Sequence, residues 1–258
     1  KWPPVYVSKN ATLDNYRMVW PIQQTASVFA TPDQKGHGVA HESVAGNKPW
    51  HALKNSLFIA LSATAISVAF GTLLAYGVSR YRILSDARMF QLLVLRMIPP
   101  IVVAAPITLY YSFLNLMDTA SGLIIVYFIT TLPYAVWMTK SFIDEVPLEM
   151  EQAAEILGAS RWRTIWEIVF PLIRSGVVAT FLFILILTWS EYLLSFILSK
   201  VDVVTLPVQL SKYEGSTEGR VYGHQAALAV GITLPLIIIG ILIRRHLVRG
   251  FTFGMVKR

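Results

Sequence analysis

An all-α fold, a polytopic bundle of membrane-crossing helices, is predicted by three features of the sequence. Only 14% of the residues are charged, against about 25% in an ordinary soluble domain. Hydrophobic residues make up 55% of the 258-residue chain, and the mean hydropathy is +0.56. The charges gather in short stretches separated by apolar runs of about 20 or more residues, the length a helix needs to cross roughly 30 Å of hydrocarbon.

The elements follow in order along the chain. Residues 1–51 are polar and rich in turn-formers, including Pro3, Pro4, Pro32, Gly36, Gly38, Gly46 and Pro49. They predict an external loop with a short helix around Asp14–Trp20. Five apolar spans are expected near 52–78, 90–116, 121–143, 172–198 and 225–247. The chain opens at Lys1 without a signal-like segment, so a further span is expected ahead of the loop. Arg80, Arg82 and Arg88 follow the first span closely, and Arg244 and Arg245 follow the last. Basic residues close to span ends govern insertion, so both sets place these loops in the cytoplasm.

The connection from Glu145 to Pro171 has the signals of a helix-turn-helix. Pro147 suits a helix's first turn, Glu149, Glu151 and Glu155 suit its positive end, and Gly158 suits its C-terminal cap. Ser160 then caps a second helix, with Trp162, Ile165, Trp166 and Val169 on one apolar face. Ala153 and Ala154 are small enough for a partner backbone to approach, and the surrounding charges suit a docked protein. The competing reading is an amphipathic hairpin resting on lipid headgroups.

Polar and proline residues within the spans mark points to explain. Arg96 is expected to snorkel to the cytoplasmic boundary. Pro99 and Pro100 remove two backbone donors and loosen the second span; Pro133 and Pro235 do the same in the third and fifth. Glu191 reads as a carboxylate well inside the fourth apolar run, which needs a partner or a water-filled cavity. Binding a hydroxyl, gating the outer mouth and accepting structural hydrogen bonds all fit it. Tyr110, Tyr111, Trp137 and Trp189, with Tyr127, Tyr134 and Tyr192, suit either a sugar's apolar face or packing and interface anchoring.

The composition excludes several classes. The net charge of +7 does not point to nucleic acid, because the basic residues flank apolar segments instead of lining one polar face. A chain without cysteine has no disulfide framework, thiolate metal site or cysteine nucleophile. No GxxxxGK[ST] string offers a cradle for ATP phosphates.

The string QAAEILGASRWRTIWEIVFP resembles the cytoplasmic EAA loop of ABC importer permeases, with Gln152, Ala153, Ala154, Gly158, Ile168, Phe170 and Pro171 at matching spacings. Gln152 stands for the usual Glu, Phe170 for Leu, and Leu157 where the sugar-type branch often has Asp. TLDNYRMVW, NSLFIALSATAISVAFGTLLAYGVSR, RMIPPIVVAAPITLYY, LPYAVWM, WSEYLLSFIL and the ending RGFTFGMVKR are also similar to the carbohydrate-uptake, maltose-type branch. Ser190 replaces the Asn usual in a Trp-Asn-Glu triplet.

This resemblance implies six spans in the intact protein and a transmembrane domain over 52–258, with the coupling loop at 145–171. It implies a multi-pass subunit of the bacterial inner membrane, importing a sugar or related polyhydroxy solute. Its partners would be a second homologous permease, an ATPase dimer that binds ATP and Mg, an external solute-binding protein and the lipid bilayer; no cofactor is expected on this chain itself. Glu151, Gln152, Ala153, Ala154, Glu155, Gly158, Ala159 and Arg161 would couple to the ATPase. Phe253, Gly254 and Met255, in the tail, would also reach it. A self-contained secondary transporter is the alternative, although no internal repeat with paired broken helices is evident. A membrane enzyme lacks support, because metal spacing, paired Asp and a GxSxG nucleophile are missing.

Overall fold

Long apolar stretches with few interruptions dictate the architecture seen in the computed structural model, which describes residues 13–20, 49–95, 97–212 and 222–253. Most of the expected 1–51 loop, Arg96, Gly254 and Met255 therefore lie outside the described residues. Helix α1, Asp14–Val19, ends at Trp20, whose indole Nε1 donates to the Ala227 carbonyl at 3.1 Å. Helix α2, Pro49–Tyr81, has no proline after its first residue and runs unbroken. Helices α3, Asp86–Leu95, and α4, Pro100–Phe113, together occupy the expected second span.

That span is two helices, not one. Pro100 restricts the residue before it to extended backbone, and Pro99 accordingly sits at φ −56° and ψ 128°. The 14 residues of α4 reach about 21 Å at 1.5 Å each, short of a full crossing.

Helix α5, Ala120–Asp144, is the third span, and α6, Leu148–Ile156, is the first arm of the expected hairpin. Helix α7, Arg161–Trp189, merges the hairpin's second arm with the fourth span. A π-helical turn at Ile165–Val169 makes this continuity possible. It lies just ahead of Pro171, whose ring would press on the carbonyl four residues earlier in a regular α-helix. The fourth span also ends earlier than expected, at Trp189. Short helices α8, Leu193–Leu198, and α9, Leu206–Ser211, follow. Helix α10, Tyr222–Phe253, covers the expected fifth span and carries the chain past 247, so residues 250–253 continue a helix instead of opening an extended tail.

Helix α2 packs along α5 and against α7, and α10 packs against α7, where Ala52 and Ala60 of α2, Leu185 and Trp189 of α7 and Ala227 and Leu228 of α10 share one buried cluster. At the α2–α5 crossing Gly71 meets Ala135. A Cβ added at Gly71 would lie 2.5 Å from the Ala135 Cβ, so the backbones approach as closely as small residues permit. Hydroxyl pairs join helices within the apolar bundle: Thr64 with Thr188 at 3.0 Å, and Ser67 with Thr131 at 2.8 Å. Phe58, Phe70, Leu109, Ile129 and Ile238 are exposed on the outer surface, as lipid-facing side chains should be. Among the described residues, α2, α5 and α7 are long and apolar enough to cross a membrane, and Pro100–Phe113 and Gln225–Ile241 are shorter apolar helical stretches.

Candidate functional site

The hairpin of α6 and the start of α7 stands at the end of the bundle where α2 and α5 also finish. Its turn is built from backbone hydrogen bonds. The Ala159 N–H donates to Ala154 O, and the Gly158 N–H to Glu155 O, both at 2.9 Å. This 6→1 and 5→2 pair is the Schellman arrangement, and Gly158 supplies the left-handed residue it needs, at φ +83°. Beyond the turn the Ser160 hydroxyl accepts from the Arg163 N–H at 3.3 Å and caps α7, as its position in the sequence suggested.

Helix α6 has two faces with different occupations. Gln152, Ala153 and Gly158 face outward, and the tip carries Ile156 and Leu157, 87% and 88% exposed. Ala154 and Glu151 are turned into the bundle, which corrects their expected place on an outer docking surface. Three residues apart, they share the helix face opposite the tip. Glu155 is half-buried and forms an ion pair with exposed Arg161 across the turn, and Ala159 is half-buried between them. The Arg161 guanidinium also lies over the Tyr81 ring, 5.9 Å from its centroid.

Glu151 is 1% exposed, and both of its carboxylate oxygens are engaged. Arg80 Nε donates to Oε1 at 2.6 Å and the Tyr76 hydroxyl donates to Oε2 at 2.7 Å. Arg80 also donates through Nη2 to Ile143 O at 3.0 Å and Val146 O at 2.9 Å. One guanidinium thus joins α2, the end of α5 and α6. Removing one partner of such a buried pair costs on the order of 3–5 kcal/mol, because it strands the other charge.

The expected apolar face of the second arm divides. Val169 is buried and Ile165 half-buried, whereas Trp162 and Trp166 remain exposed and meet edge to face, 6.0 Å between centroids. Arg163 pairs with Glu167 at 2.8 Å, one turn along.

Residues 67–253 match the family model described as the binding-protein-dependent transport system inner membrane component. The chain belongs to this family. It is 34% identical over 208 residues to the inner membrane ABC transporter permease protein YcjP of Escherichia coli, covering 79% of this chain and 73% of the relative. The trehalose transport system permease protein SugB of Mycobacterium tuberculosis is 32% identical over 213 residues, covering 80% and 76%. The trehalose/maltose transport system permease protein MalG of Thermococcus litoralis is 30% identical over 207 residues, covering 80% and 74%. The fold is similar to that of a chain in the crystal structure of a bacterial ABC transporter involved in the import of the acidic polysaccharide alginate, at TM-score 0.63 and 20% identity, over 80% of this chain and 78% of the other. The protein is thus an all-helical inner-membrane transport component.

In this family member the residues expected along a solute path are not gathered at one place. Trp189 is 2% exposed and its Nε1 donates to Ile232 O at 3.1 Å, so it ties α7 to α10. Tyr111 is buried in a different packing cluster, donating to Gly122 O at 3.0 Å. Tyr110 and Trp137 point out of the chain's own bundle, 69% and 50% exposed. Glu191 does not lie inside a span. It occupies the break after α7, where Oε1 accepts from the Leu194 N–H at 3.0 Å. Phe253 closes α10; its side chain, with Gly254 and Met255, lies outside the described residues.

The opposite end of the bundle holds a feature that sequence reasoning missed. Asp118, at φ +56° before α5, accepts four consecutive backbone N–H groups. Lys200 and Val203 donate to Oδ1 at 2.9 and 3.1 Å, and Val201 and Asp202 to Oδ2 at 2.9 and 3.0 Å. Burial alone would raise the carboxyl's pKa, but the four donors outweigh it and hold it down at about 2.

Proposed function

We propose that the protein is the membrane-spanning permease subunit of an ABC importer for a sugar or related polyhydroxy solute, and that a separate ATPase drives it. The observation that carries the reading is the α6–α7 hairpin, which has a left-handed glycine at coupling-loop spacing and an apolar tip, Ile156 and Leu157, projecting from the bundle. A projecting apolar tip on a hydrogen-bonded turn suits insertion into a cleft on a partner protein. Relatives named for trehalose and for trehalose/maltose transport support the solute class. In this reading ATP and Mg are held by the ATPase dimer, a second homologous permease completes the pathway, and an external binding protein delivers the solute. The residues toward the ATPase are Gln152, Ala153 and Gly158 with the Ile156–Leu157 tip, and the tail from Phe253 through Gly254 to Met255.

The test is purification of the tagged chain with the products of its neighbouring genes, followed by reconstitution in vesicles. Trehalose and maltose uptake should require ATP inside the ATPase-bearing compartment. Replacing Gly158 with Arg should abolish ATP-driven uptake while the chain still inserts. Uptake by the chain alone, driven by an ion gradient, would establish the secondary-transporter alternative.

A further inference from the structure

We propose that Glu151 is a positioning residue for coupling, locking the hairpin to α2 through Arg80 and Tyr76 so that displacement of the hairpin reaches the far end of α2. The inference rests on the hairpin being the element that docks.

Four observations carry it. First, the two faces of α6 are divided: the outward face is free for a partner, while Glu151 and Ala154 are spent inside the chain. Second, the contacts at Glu151 are directional. Arg80 and Tyr76, four residues apart on one face of α2, hold one carboxylate oxygen each. An apolar side chain would bury as well, and a buried ion pair is a poor source of net stability, so what this group adds is register. The remaining polar contacts of the turn, Glu155 with Arg161 and the Arg161 guanidinium over the Tyr81 ring of α2, lie at the surface and are each worth little.

Third, α2 is a suitable rod. Its 33 residues contain no proline after Pro49 and extend about 50 Å at 1.5 Å per residue. Fourth, the far end of α2 is also tied. Asn55 Nδ2 donates to Val204 O at 3.2 Å, and the Ser56 hydroxyl accepts from the Leu206 N–H at 2.7 Å. The loop so held is the one whose N–H groups at 200–203 cap Asp118. A continuous path thus runs from the hairpin through Glu151, Arg80 and α2 to the loop at the opposite end.

The absence of native cysteine makes the test direct. Spin labels at Phe70→Cys, on the exposed side of α2, and Glu149→Cys, exposed near the start of α6 and away from the docking tip, report their separation in the assembled complex in lipid nanodiscs. A separate Asp202→Cys chain reports thiol-labelling rate at the far loop, with and without Mg-ATP and vanadate. The locked chain should show one narrow distance and a labelling rate that changes with nucleotide. A hydrogen bond to a charged group is worth about tenfold or more in the docked-to-detached ratio, so Glu151→Gln and Tyr76→Phe should each raise the detached population by about that factor. Both should flatten the nucleotide response at 202 while ATP hydrolysis continues. Tyr76→Phe keeps the ring in the core, which guards against a folding artefact. Unchanged distance and unchanged nucleotide response in both variants would overturn the proposal. If no ATP hydrolysis accompanies the unaltered chain, the docking reading has failed instead; the spin-label distance in the chain alone then still decides whether Glu151 locks the hairpin.

Discussion

Tyr76 and Glu151 lie 75 positions apart in the chain, yet the tyrosine hydroxyl donates to Glu151 Oε2 at 2.7 Å with Arg80 on the other oxygen. The stability consequence is asymmetric. Arg80→Ala leaves a carboxylate that is 1% exposed without its counter-charge and should cost on the order of 3–5 kcal/mol. Glu151→Leu added to Arg80→Ala removes the stranded charge and should recover most of that loss. Denaturant unfolding of the detergent-solubilised chain measures both, and a double variant no more stable than Arg80→Ala would refute the account.

Gly158 offers a cleaner probe of the turn, because a Cβ there would meet nothing within 4 Å. Any cost of substitution must therefore come from the backbone. Gly158→Ala should destabilise the hairpin by about 1 kcal/mol and Gly158→Val by more, whereas Gly158→Asn should be better tolerated. Amide exchange across 154–160 ranks the three. Equal protection in Val and Asn variants would show that the left-handed residue is not what holds the turn.

Much of this architecture was legible in the sequence, and the misses have physical causes. Helices α2 and α5 follow from long apolar runs, and the hairpin turn follows from Gly158 and Ser160, residues whose backbone preferences are strong. The Pro99–Pro100 pair signalled a weakened second span, though not two separate helices. The burial of Glu151 is not legible because it stands between Met150 and Gln152 in a helix whose other carboxylates, Glu149 and Glu155, suit its positive end equally well. The available signal was its three-residue spacing from buried Ala154, together with Arg80 and Tyr76 at the end of an apolar helix. Asp118 gave no signal because its partners are backbone N–H groups, which no sequence letter records. Trp189 and Tyr111 looked free to meet a solute because an aromatic with a polar tip serves packing and binding equally well.

The α2–α5 crossing should respond to a single methyl group. Gly71→Ala places a Cβ 2.5 Å from that of Ala135 and 3.1 Å from the Ala135 carbonyl carbon. The helices must separate, at a cost of about 1–3 kcal/mol. Adding Ala135→Gly returns the closest contact to open space and should recover part of the loss. Thermal inactivation of the four chains, read by aggregation in detergent, tests the relation. A Gly71→Ala chain as stable as its parent would show that the crossing has slack.

Asp118 makes the loop at 200–203 sensitive to acid. An unfolded aspartate titrates near 3.9, while Asp118 is held at about 2 by four backbone donors that outweigh its burial. The folded form therefore binds fewer protons than the unfolded one in the interval between those values. A depressed carboxyl of this kind contributes its full stabilisation above about pH 4, and the contribution disappears as pH falls through about 2. Protonation turns one oxygen from acceptor to donor, facing N–H groups that are themselves donors. Asp118→Asn does the same at every pH. Amide exchange at Lys200, Val201, Asp202 and Val203, corrected for intrinsic rates, should show strong protection at pH 5 that is lost towards pH 2. In Asp118→Asn, protection should be weak and nearly independent of pH. Protection in the parent chain that stays level across this range, or an Asn variant that matches it at pH 5, would mean that the loop is held by something other than the carboxylate.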